Sequence, residues 1–125
     1  MRHESIVLLM NSLRKDDGAD KVAAEINHAA ISTVNLTEVV TKLVDGGMSE
    51  TDIQDTLAAL NLTIVPFEEK MAYEASRLRL STRVLGLSLG DRACLATARI
   101  LGVSVLTADR IWLQAKVEVD VRCIR

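Results

Sequence analysis

A chain of 125 residues, 49% hydrophobic and 26% charged, has the length of one domain (1–125) and the composition of one that buries a core. Its formal net charge of −2 excludes a broad basic surface holding nucleic acid passively, but not an enzyme that brings its own cations to a polyanion. Phe67, Tyr73 and Trp112 are the only aromatic residues, too few for a base-stacking platform. Cys94 and Cys123 form no Cys-x-x-Cys pair and have no histidine near them in sequence, which speaks against a zinc site and for buried thiols. No run approaches the ~20 apolar residues of a membrane helix. Arg2, His3 and Glu4 precede only a short apolar run, so there is no signal-peptide pattern and the expected compartment is the cytoplasm.

In chain order, Ile6, Leu9, Met10 and Leu13 keep helical spacing, and a charged turn follows at Arg14-Lys15-Asp16-Asp17. Past Gly18, the spacing of Val22, Ala23, Ile26 and Ala30 predicts a helix over Ala19–Ala30. A short strand follows over Ala30–Val34. Asn35 then opens a helix carrying Leu36, Val39, Val40, Leu43 and Val44, stopped by Gly46-Gly47. Ser49 caps another, with Ile53, Leu57 and Leu60 inward. Leu62–Phe67 is a strand closed by Pro66. A helical region runs from Glu68 to about Leu85, with a break near Ser81-Thr82; its Arg77, Arg79 and Arg83 read most simply as a solvated face, with contact to phosphates as the alternative. Ser88 starts a helix that Gly102 ends, Val103–Leu106 is a strand, and Ile111-Trp112-Leu113 sit in a short helix. The terminal strand, Val117–Ile124, alternates Val117, Val119, Val121 and Cys123, the pattern of a sheet edge. Strands alternating with helices predict an α/β fold with a parallel sheet covered on both faces.

In such a fold, ligand sites lie at the carboxyl ends of the strands. A helix that follows a strand begins at that edge, which places Asp91 there in the first turn of its helix. The chain runs down the helix, turns at Gly102 and climbs the strand Val103–Leu106, so Asp109 returns to the same edge. Glu38 stands there too, at the start of the helix after the second strand. Converging carboxylates repel one another unless a cation neutralises them, and hard oxygen ligands favour Mg²⁺ or Mn²⁺. Such ions activate water and stabilise a phosphoryl transition state, which is nuclease chemistry. A structural reading stands beside this one. Ser88-Leu89-Gly90-Asp91 and Asn35-Leu36-Thr37-Glu38 both fit a capping box, and Asp109 fits a cap for the short helix after it. Capping accounts for each acid singly; it does not account for all of them facing one edge.

The segments "GADKVAAEI" (Gly18–Ile26), "ISTVNLTEVVTKL" (Ile31–Leu43) and "LGLSLGDRACLATARILGVSVLTADR" (Leu85–Arg110) resemble the PIN domain of VapC-type toxin ribonucleases. The resemblance covers Gly18–Arg125. It implies a three-layer α/β/α domain with a mainly parallel sheet of four or five strands. It further implies a Mg²⁺- or Mn²⁺-dependent endoribonuclease acting on RNA, often a homodimer, and inhibited by a cognate antitoxin protein. The family's acidic site uses an aspartate at the end of the first strand, a glutamate after the second and two later aspartates; Glu38, Asp91 and Asp109 match the last three.

The first place has no aspartate, since "MRHESIVLLMNSLRKDDG" holds none before Asp16. In one register, Val7–Met10 belongs to the first helix and Glu4 stands near the missing acid as an imperfect fourth ligand. In the other, Ser5–Leu9 is the strand and Asn11-Ser12 replaces the family motif. The helical spacing favours the first. In either register the site has lost a charge, which weakens divalent binding. A non-catalytic PIN-like protein that binds an antitoxin or pairs with itself is the alternative expectation.

Overall fold

The computed structural model describes residues 5–7, 29–107, 110–115 and 117–123. Five strands form one sheet: β1 (Ser5–Val7), β2 (Ala30–Ser32), β3 (Thr63–Val65), β4 (Ser104–Thr107) and β5 (Val121–Cys123). Their order is β3-β2-β1-β4-β5, and every pair is parallel. Between β2 and β3 lie α1 (Thr33–Asp45) and α2 (Glu50–Ala59); between β3 and β4 lie α3 (Glu69–Thr82) and α4 (Leu89–Leu101). Short 3-10 turns cover Arg83–Leu85 and Arg110–Gln114. Among the described residues no helix is long and apolar enough to cross a membrane.

Successive strand residues point to opposite faces, and the core divides accordingly. Ala30 and Val105 pack with Ala75 and Leu78 of α3, with Cys94, Leu95 and Ala98 of α4, and with Trp112. Their neighbours Ile31 and Leu106 pack with Val39 of α1 and with the partly buried Leu36, Leu43 and Leu57. The sheet is thus covered on both sides, as parallel sheets are. The chain moves outward from β1 through β2 to β3, then crosses back to β4 on the far side of β1. Right-handed crossovers put α1 and α2 on one face and α3 and α4 on the other.

The elements start and stop where local chemistry directs. Ser32 caps α1 by accepting from Val34 N at 3.2 Å, and Ser49 caps α2 by accepting from Asp52 N at 3.1 Å. α4 ends at Gly102, whose φ of 70° suits glycine and whose N–H reaches the carbonyls of Ala98 and Arg99. The region over Glu68–Leu85 does change character at Thr82, where α3 gives way to a 3-10 turn.

Several expectations need correction, among them the strand over Leu62–Phe67, which covers only Thr63–Val65. Ser5–Val7 is a strand, with Ile6 opposite both Ala30 and Val105, so Val7 does not belong to a helix. Pairing on both sides at the centre of the sheet outweighs the helical spacing of Ile6, Leu9, Met10 and Leu13. Ala30 lies in β2 rather than at the end of a helix; the rest of the helix predicted over Ala19–Ala30, with Asp16 and Asp17, lies outside the described residues. β2 stops at Ser32, and α1 begins before Asn35. The edge strand β5 is Val121–Cys123, so the predicted strand does not begin at Val117, and Ile124 lies outside the described residues.

An ion-pair chain links α3, α4 and the segment before β5. Glu74, buried in α3, accepts from Arg77 Nη2 at 2.8 Å and from Arg99 of α4; Arg99 also pairs with Glu118. The hydrogen bond from Arg77, with Arg99 adding to it, holds the Glu74 carboxyl below its ordinary 4.5 despite the opposing cost of burial. A depressed folded pKa means stability that is full above the unfolded value and lost as pH falls through the folded one. Replacing Glu74 by Gln should therefore cost about 1–2 kcal/mol at pH 7. In urea unfolding, that penalty should shrink as pH drops below 4.5; a penalty independent of pH would show that the charge plays no part.

Candidate functional site

The carboxyl edge of the sheet is where β2 hands over to α1 and where α4 begins. Glu38 lies one turn into α1, on the same face as Asn35. Asp91 lies in the first turn of α4. The two helix starts touch. Asn35, fully buried, donates through Nδ2 to the carbonyl of Gly90 at 2.9 Å and to Glu38 Oε1 at 3.2 Å. A methyl group on Gly90 would sit 2.1 Å from Glu38 Oε2 and 2.4 Å from Cδ, so the Glu38 carboxylate lies against the bare Cα of Gly90. That sets Glu38 beside Asp91, the next residue in α4.

Asp91 is held by its own helix. Its Oδ2 accepts from Ser88 N at 2.9 Å, while Ser88 Oγ accepts from Asp91 N at 3.1 Å. This is the capping box expected from Ser88-Leu89-Gly90-Asp91. The one expected from Asn35-Leu36-Thr37-Glu38 does not form. Ser32 is the cap, three residues earlier, and the Asn35 amide turns across to α4 instead. Asn35 and Gly90 are the site residues that sequence reasoning passed over as functional. A glycine inside a helix is disfavoured by roughly 0.5–1 kcal/mol against alanine, so Gly90 carried a signal of close approach.

Electrostatics bind the two acids to a common neighbourhood. Cys94, fully buried one turn beyond Asp91, has its thiol pushed up by burial, with the negative charges of Asp91 and Glu38 adding to the effect. The burial that raises it favours the neutral thiol. No arginine or lysine among the described residues comes within ion-pair distance of Glu38 or Asp91. Arg92, beside Asp91 in the chain, turns Nη1 to the carbonyl of Ala75 at 3.0 Å.

Asp109 and Glu4 lie outside the described residues. Thr107, two residues before Asp109, is buried at the carboxyl end of β4. Ser5, bonded to Glu4, pairs with Ser104 at the opposite, amino end of β4. Among the described residues no group of three or more histidine, cysteine, aspartate or glutamate side chains forms a metal cluster; Glu38 and Asp91 supply two. The donors present fit a hard divalent ion. They are carboxylate oxygens that no described arginine or lysine pairs with, and the buried Oδ1 of Asn35 beside them has no hydrogen-bond partner among the described residues. Such an orphan is a place for a water or a hydrated ion. Between α1 and α2, an apolar groove of about 830 Å³ is lined by Leu36, Val40, Val44, Met48, Ile53 and Leu57.

The PIN domain family model matches residues 5–118, and the chain belongs to that family. Among solved structures, a toxin–antitoxin complex from Klebsiella pneumoniae is similar at 21% identity over 85% of this chain and 87% of that one, with a TM-score of 0.64. VapBC2 from Rickettsia felis, bound to a DNA fragment from its promoter, is similar at 14% identity over 95% and 97%, TM-score 0.68. FitAcB from Neisseria gonorrhoeae gives 18% identity over 96% and 97%, TM-score 0.64. At these identities the likeness establishes the fold alone. Comparison with curated proteins gives no match.

If Glu38 and Asp91 repel each other across Gly90, Glu38→Gln should stabilise the metal-free protein by about 1 kcal/mol, because one like charge goes while the Asn35 contact remains. Urea unfolding in chelator measures it. Destabilisation would show that the acids are ordinary helix-end residues.

Proposed function

We propose that this chain is a metal-dependent endoribonuclease, the toxin of a toxin–antitoxin pair acting in the cytoplasm as a homodimer. The observation that carries the reading is the pair of carboxylates, Glu38 and Asp91, meeting at the carboxyl edge of a PIN sheet with no cation paired to either among the described residues. Glu38, Asp91 and Asp109 would hold Mg²⁺ or Mn²⁺. Bound there, the ion supplies an activated water and neutralises charge on the scissile RNA phosphodiester.

The chain's own residues prepare that site. Ser88 fixes the Asp91 carboxylate through the capping box, and Asn35 fixes Glu38. The neutral Cys94 thiol and the neighbouring apolar core form its floor. Glu4 is not carried into the proposal, because Ser5 starts β1 at the amino edge. The family's first aspartate has no counterpart in the sequence before Asp16, and Asn11 lies outside the described residues. The site therefore runs on fewer charges than the family pattern, and weak metal affinity is part of the proposal.

The groove between α1 and α2 favours a second reading, a PIN-like protein whose working surface takes an antitoxin. Val44 and Ile64 along that groove are 55% and 45% exposed, and apolar residues gathered in a groove mark an interaction surface. The similar structure from K. pneumoniae is itself described as a toxin–antitoxin complex.

Incubating purified chain with a mixed RNA pool, with Mg²⁺, with Mn²⁺ and with chelator, separates the readings. Metal-dependent cuts that fall at least about a hundredfold in Asp91→Asn are expected of the enzyme. A folded protein that cuts nothing at saturating Mn²⁺ leaves the antitoxin-binding reading in its place.

A further inference from the structure

We infer that Asn35 is a positioning residue, which together with the missing Cβ of Gly90 holds the Glu38 carboxylate in the orientation that receives a divalent ion. The inference rests on the reading of Glu38 as a metal ligand.

The geometry argues for more than a structural hydrogen bond. A side-chain amide has two N–H donors on one nitrogen, and Asn35 commits Nδ2 to two acceptors: the Gly90 carbonyl at 2.9 Å and Glu38 Oε1 at 3.2 Å. The opposite amide orientation would set Oδ1 against those same two acceptors, so the pair of contacts fixes which way the amide faces. The Gly90 carbonyl anchors the amide to α4, and the anchored amide steers Glu38 on α1. Gly90 supplies the other wall, since any Cβ there would occupy the space of the carboxylate. Glu38 is thereby restrained from two sides, one polar and one steric, in contact with the start of α4 next to Asp91. A residue needed only to join two helices has no use for a second donor aimed at a carboxylate. Groups that orient a metal ligand from behind typically change metal affinity by about 10–100-fold when removed.

The two restraints can be lifted separately. Asn35→Leu keeps much of the volume and removes both donors. Gly90→Ala keeps Asn35 and introduces the Cβ. The atoms it would meet are the far end of the flexible Glu38 side chain, so the helix keeps its place while the carboxylate must swing away. Alanine also favours the helix more than glycine does. Gly90→Ala is thus a variant that should fold well and bind metal poorly, a combination that a purely structural role does not produce.

The test is titration of the full chain with Mn²⁺, with free ion read by electron paramagnetic resonance. Wild type, Asn35→Leu and Gly90→Ala are compared, each also in a Glu38→Gln background, with cooperative thermal melting as the folding control. Each single variant should bind Mn²⁺ about 10-fold or more weakly than wild type. In the Glu38→Gln background the further loss should be less than about twofold, because both restraints act through Glu38. Undiminished Mn²⁺ affinity in folded Gly90→Ala and Asn35→Leu overturns the inference while leaving the metal reading intact. Equal losses with and without the Glu38 carboxylate overturn it as well. If Asn35→Leu does not fold, Gly90→Ala decides alone. A wild type that binds no Mn²⁺ overturns the metal reading, and this inference with it; that outcome is visible before any variant is compared.

Discussion

Because the five strands run the same way, every exit from the sheet lies at one edge and every return at the other. That single constraint decides where chemistry can gather. α1 leaves β2 at the carboxyl edge, and α4, which leads down to β4, has to begin there. Two helix starts on opposite faces of the sheet therefore approach each other over the strand ends, and the residues in their first turns become neighbours whatever their separation in sequence. Asn35 and Gly90 are 55 residues apart and in direct contact. The interaction that fixes the approach is the buried amide of Asn35 on the Gly90 carbonyl, and it is possible only because position 90 carries no side chain.

Packing beneath the edge serves the same approach. α4 is buried along most of its length, with Ala93, Cys94, Ala96, Thr97 and Ala98 all buried. Small side chains allow that helix to lie close to its neighbours, and a helix buried nearly all round presents few polar residues. Its polar exceptions are informative. Thr97 turns its hydroxyl to the carbonyl of Ala93, Arg99 leaves the core to pair with Glu74 and Glu118, and Arg92 bonds the backbone of α3. The positive charges of α4 are thus occupied away from the acidic edge, and among the described residues no arginine or lysine pairs with Glu38 or Asp91.

Features whose cause is local were legible in the sequence. The Ser88–Asp91 box is one, because both partners lie within a single turn and their side chains satisfy each other's backbone. Gly46 and Gly102 as stops are others. The α/β alternation, the parallel sheet and the edge position of the last strand followed from pattern and burial. What was not legible depends on partners far away in sequence. Ser32, Thr33 and Asn35 can all cap a helix, and choosing Ser32 required the Asn35 amide to have a better acceptor, the Gly90 carbonyl. The helical spacing of Ile6, Leu9, Met10 and Leu13 is real, but Ile6 is paired on both sides by Ala30 and Val105, and two ladders outweigh a spacing. Placing Glu38 and Asp91 at one edge used topology alone; the way Glu38 is held there depends on the contact of Asn35 with Gly90, 55 residues away.

Capping and ligation are not rival roles at this edge. A carboxylate free to rotate loses conformational entropy when it closes on an ion, whereas one already held by a backbone N–H has lost that freedom in folding. Asp91 is held through Oδ2 by Ser88 N, and Glu38 through Oε1 by Asn35 Nδ2, each by one oxygen. A carboxylate has a second oxygen and further lone pairs, so one hydrogen bond orients the group without exhausting it. The cap that makes Asp91 look structural is also what would preorganise it as a ligand. The start of α4 adds to this, since its partial positive charge favours the Asp91 carboxylate in its first turn. Stability and site geometry then draw on the same few atoms of Ser88, Asn35 and Gly90.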